Sequence, residues 1–80
     1  MNFSESILEY IVKGIFVHLD DQNEDIQMSM YNVLRFLAKL KPKLVLEEAK
    51  VCLQKLKYPR KCQELINFSQ EKIEENKESD

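Results

Sequence analysis

The chain has 80 residues, 44% hydrophobic and 32% charged with a net charge of −2, which bounds it to one small domain with a thin core. One glycine and two prolines fit helices joined by short turns and leave little room for sheet. No apolar run approaches the roughly 18 to 20 residues a membrane span needs, and MNFSESILEY lacks the basic region and cleavage site of a secretory signal; a cytoplasmic location is expected.

In chain order, Phe3, Ile7, Leu8, Ile11, Val12, Ile15, Phe16 and Leu19 recur at helical spacing and predict a first helix. Asn2 to Glu5 and Ser6 to Glu9 each have capping-box spacing, and either could open it. Gly14 in its interior costs about 1 kcal/mol relative to alanine, which the close approach of a neighbouring helix would explain. The polar run DDQNED follows, then a second helix on Ile26, Met30, Val33, Leu34, Leu37, Ala38 and Leu40. Asp21 or Asn23 can cap it, Glu24 and Asp25 suit its positive end, and Arg35, Lys39 and Lys41 fall toward its negative end.

Pro42 ends that pattern and is placed to open a third helix, on Leu44, Val45, Leu46, Ala49, Val51, Cys52, Leu53 and Leu56. Tyr58-Pro59 should close it, with Pro59 the first helical residue of a fourth carrying Cys62, Leu65, Ile66, Phe68 and Ile73. The expected organisation is all-α: a helical domain over 1–73, in antiparallel pairs at about 3–41 and 44–73, followed by a disordered tail at 74–80, which has no apolar residue left to pack. Two successive pairs of this size are the units of an α-solenoid.

The segment ILEYIVKGIFVHLDDQNEDIQMSMYNVLRFLAKLKPKLV resembles a HEAT repeat. Leu19, Asp21 and Ile26 match the family's L-x-D-x-x-x-x-V-R pattern, while Gln27 stands where the basic residue is usual, so an aspartate-to-arginine ladder between repeats is not carried over. Residues 44–73 match as a second, degenerate pair. The stretch HLDDQNEDIQ, followed by a helix pair and a short charged tail, is similar to the end of the HEAT-repeat axonemal dynein assembly factors. That resemblance implies a non-enzymatic cytoplasmic scaffold or co-chaperone for dynein-arm pre-assembly in ciliated cells.

Chemistry of other kinds finds little support. Counted from Asp20 as an EF-hand loop, position six is Asp25 instead of glycine and position twelve is Tyr31 instead of glutamate. Cys52 and Cys62 have no CxxC spacing, and His18, the lone histidine, is placed for a helix end, so no metal, cofactor or catalytic set is expected. Asp20, Asp21, Glu24 and Asp25 are therefore assigned to a structural turn. The aromatic residues are expected mostly in the core.

Charge is uneven: −5 over residues 1–34, +7 over 35–61 and −4 over 62–80. Lys39, Lys43, Lys50, Lys55, Lys57, Arg60 and Lys61 form the candidate partner-binding set. In stacked helix pairs the acidic turn would sit beside Lys57, Arg60 or Lys61, so internal compensation competes with an acidic protein partner. Nucleic acid is disfavoured because Tyr58 is the one aromatic near those bases after Phe36. The expected partners are a protein client or neighbouring repeats, with self-association as another way to cover apolar faces. The alternative is a self-contained four-helix adaptor for an acidic partner, with the fourth helix closing over the first.

Overall fold

The computed structural model describes residues 5–78, and over them the chain is four α-helices with no strand. They are α1 (Glu5–Leu19), α2 (Glu24–Leu40), α3 (Pro42–Leu53) and α4 (Arg60–Glu78). Ser6 already lies inside α1, so the Ser6–Glu9 box does not open it; the box at Asn2 and residue Phe3 fall outside the described residues.

The start of α2 is set locally. Asn23 is its N-cap, in extended geometry, and its side chain accepts from the Asp25 amide at 2.8 Å. Asp21 in turn accepts from the Asn23 amide at 2.9 Å, and the buried Gln27 side chain donates back to the Asp21 carbonyl. The turn therefore satisfies its own polar groups, and Gln27 does so from the position where the resemblance would place a basic residue. Lys41 separates α2 from α3, its amide donating to the Leu37 carbonyl at 2.7 Å, and Pro42 opens α3, where its missing N–H is not needed.

Two expected boundaries differ. α3 stops at Leu53, ahead of the Tyr58-Pro59 pair, and residues 54–59 form a connection. Its Lys57 and Tyr58 amides, which a continuing helix would turn inward, donate instead to the Asp20 carboxylate. Pro59 lies just outside α4 and accepts from the Gln63 amide at 2.9 Å. The second difference is at the end: α4 continues to Glu78, through most of the segment expected to be a disordered tail. Its glutamates and lysines are good helix formers, no breaker intervenes, and Lys72 pairs with Glu75 at 3.2 Å one turn on.

The core takes Val12, Phe16 and Leu19 from α1, Leu34 and Ala38 from α2, Val45 and Ala49 from α3, and Cys62, Leu65 and Ile66 from α4. Burial of each large side chain is worth roughly 1.5–3 kcal/mol. α2 and α3 lie against each other, α1 packs on both, and α4 packs on both. Among the described residues α1 and α4 make at most marginal contact, and Ile7 and Ile11 stay exposed, so α4 does not close over α1 as the adaptor alternative expected.

Candidate functional site

Beside the shared core, one polar contact joins the two halves of the chain. The Lys57 and Tyr58 amides donate to Asp20 Oδ1 at 2.8 and 2.9 Å. Asp20 follows α1 and its partners follow α3, so these two helices end at one edge of the molecule. The acidic turn thus meets the basic connection through backbone amides; among the described residues no side-chain ion pair joins Asp20, Asp21, Glu24 or Asp25 to Lys57, Arg60 or Lys61. Glu24 and Asp25 stay exposed in the first turn of α2, where the helix dipole favours their charge.

The basic candidates do not form one patch. Lys39 lies in the last turn of α2 and Lys43 in the first turn of α3, whereas Lys55, Lys57, Arg60 and Lys61 cluster around the 54–59 connection. The 12 residues of α3 hold the two groups about 18 Å apart. Lys50, in the last turn of α3, lies toward the second group. All are exposed except Lys61, which is half-buried.

Arg35 is drawn into a different arrangement at the α2–α4 seam. Its guanidinium lies 4.5 Å from the Phe68 ring centroid and 5.7 Å from that of Tyr31, and Lys72 approaches Phe68 at 5.3 Å. Burial raises the pKa of the Tyr31 hydroxyl, the adjacent Glu64 carboxylate raises it further, and Arg35 partly offsets both. The Cys62 thiol donates to the Ala49 carbonyl at 3.2 Å, and burial pushes its pKa up to about 11. Cys52 is half-buried, its pKa also raised by burial and then by Glu48. A thiol held protonated is a poor nucleophile, and no group of three metal-ligating side chains gathers among the described residues.

Two helix pairs that cannot bury their outer faces are expected to expose apolar residues on the first or second helix, and the structure shows which ones; periodicity alone did not single them out. Of eleven exposed large hydrophobic residues among those described, nine lie on α1 and α2: Ile7, Tyr10, Ile11, Val17, Ile26, Met28, Val33, Phe36 and Leu40. None lies on α4. Tyr10 is 80% exposed, Val17 70% and Phe36 60%, so Tyr10 and Phe36, with Tyr58, are surface residues instead of the expected core aromatics. On α1 the exposed set Ile7, Tyr10, Ile11 and Val17 surrounds Gly14 at i, i+3, i+4 spacing, opposite the buried Val12, Phe16 and Leu19. A Cβ added at Gly14 would meet no atom within 4 Å, so nothing among the described residues accounts for this glycine. The signal was present in the composition of α1, where nine of fifteen residues are apolar and cannot share one face.

Comparison with known proteins gives one relation. The chain is similar to dynein axonemal assembly factor 5 of Xenopus laevis. The two are 29% identical over 63 residues, a stretch covering 79% of this chain and 8% of the frog protein. This chain therefore spans a small part of its relative's length. No protein-family model matches it, and neither does any solved structure. No helix among the described residues is long and apolar enough to cross a membrane.

Proposed function

We propose that this chain is a non-enzymatic protein–protein interaction scaffold, a HEAT-like unit of two stacked antiparallel helix pairs that acts in the cytoplasmic assembly of axonemal dynein. The observation that carries the interaction reading is the one-sided apolar surface: the outer faces of α1 and α2 are greasy and α4 is polar outside. A polar outer layer is what ends a stack of helical repeats, and an apolar outer layer is what receives the next element. The packing supports the stacked arrangement, since every helix pair packs closely except α1 and α4, which touch only marginally, and Asp20 joins the connection after α1 to the one after α3 at one edge. The assembly role draws on the similarity to the frog protein.

On this reading the α1 face around Gly14 takes a helix of a client or of a neighbouring repeat. The glycine is retained at its helical cost because a side chain there would hold that helix away. The basic residues near 55–61 serve as a polar rim. The test is a pull-down from ciliated-cell cytosol with the full chain and with a Tyr10→Lys, Val17→Lys variant. Recovery of dynein chains or their chaperones by wild type, lost in the variant, is expected; equal recovery would remove α1 from the mechanism, and recovery of nucleic acid would overturn the reading.

A further inference from the structure

α2 carries two stripes. The first, with Gln27, Leu34 and Ala38, is buried against the other helices. The second holds Ile26, Val33 and Leu40 at intervals of seven, with Phe36 between the last two, and all four are exposed. A seven-residue recurrence is the pattern of a helix–helix seam, yet no other helix of the chain covers this one.

The stripe has a symmetry that points to its occupant. Turning α2 end for end about Val33 exchanges Ile26 with Leu40 and returns Val33 to itself. Charge has the opposite symmetry, with Asp25 at the start of the helix and Lys39 at its end, both exposed. Fourteen residues, close to four full turns, separate them, so they stand on one flank of the stripe. In an antiparallel pair of identical helices each flank faces its own copy, which brings Asp25 of one chain within two residues, about 3 Å of helical rise, of Lys39 of the other, twice. A parallel pair would set each flank against the opposite flank of its copy, so Asp25 and Lys39 would not meet. An unrelated partner helix would not require a palindromic register.

We infer that this face of α2 binds α2 of a second copy of the chain, as an antiparallel two-fold dimer with Val33 on the axis. The contact is isologous, so one set of residues supplies both sides. A single helix stripe lies at the small end of specific interfaces, so the dimer is weak and concentration-dependent. The inference does not rest on the dynein-assembly role and can stand or fall without it.

The test is sedimentation equilibrium of the full chain from roughly 1 to 500 μM, a range that covers weak association. The expected mass rises from 9.5 kDa toward twice that value. Val33→Asp opposes two carboxylates on the axis and should leave a monomer, with far-UV circular dichroism confirming retained helix. Asp25→Lys or Lys39→Glu alone should weaken the dimer by roughly ten-fold, because two attractive pairs become repulsive. An equimolar mixture of those two variants should regain wild-type association, since each then meets its complement. A chain monomeric throughout, association indifferent to Val33→Asp, or a mixture no tighter than its components would each overturn the inference.

Discussion

Replacing Asp20 tests how the two halves of the chain are joined. In Asp20→Ala the Lys57 and Tyr58 amides lose an ionised acceptor that lies 2.8 and 2.9 Å away. Charge-assisted hydrogen bonds are worth about 1.5–3 kcal/mol each where buried, but this site is at the surface and water can reach the freed amides. The expected loss is therefore about 1–2 kcal/mol in total. For a domain of this size that lowers Tm by roughly 4–16 °C. Thermal and urea unfolding followed by far-UV circular dichroism supply the assay. Asp20→Asn keeps one acceptor oxygen without its charge and should lose about half as much. Asp21→Ala, whose side chain accepts one bond within its own turn, should cost less than Asp20→Ala. If Asp20→Ala unfolds with the wild-type midpoint, or Asp21→Ala is the more damaging, the edge contact does not hold the halves together.

Gly14→Ala should stabilise the isolated chain by about 0.5–1 kcal/mol, because the position is helical and open, while weakening client recovery; a drop in Tm would contradict the geometry. Leu34→Ala removes a fully buried side chain and should cost about 2–5 kcal/mol, whereas Phe36→Ser, two residues away and 60% exposed, should stay within about 0.5 kcal/mol under conditions where the chain is monomeric. Cys62 should resist alkylation until the chain unfolds, with Cys52 reacting first, as mass spectrometry of timed samples would report. Because folding raises the Cys62 pKa from 9.0 to about 11, its contribution is complete below pH 9 and is lost as pH rises through about 11. That loss is about 2–3 kcal/mol, and Cys62→Ala should unfold with a correspondingly shallower alkaline dependence.

What could be read from the residues was what is decided locally. Pro42 marks the opening of α3, Asn23 caps α2, and four separate apolar periodicities give four helices. What depended on distant partners was hidden. Leu56 fits the α3 periodicity, yet the helix stops at Leu53 and the next residues bend toward Asp20, 37 positions away from Lys57. Helical spacing alone also could not say which of several apolar faces of α1 and α2 would be covered. Val33 and Leu34 are neighbours in one apolar run, one at the surface and the other in the core. The basic residues looked like one segment because they are close in sequence, but the length of α3 divides them. The candidate site accordingly moved from charged turns to helix faces.

On the proposed reading, binding resides on the outer face of α1, with the basic connection as its rim. Parallel pull-downs from ciliated-cell cytosol would compare the wild-type chain, Tyr10→Lys with Val17→Lys, and charge reversal of Lys55, Lys57 and Lys61. Wild type should recover dynein chains, the α1 variant should lose at least roughly ten-fold, about 1.4 kcal/mol, and the charge reversal should lose less. Full recovery by the α1 variant, with recovery abolished by the charge reversal, would contradict that reading.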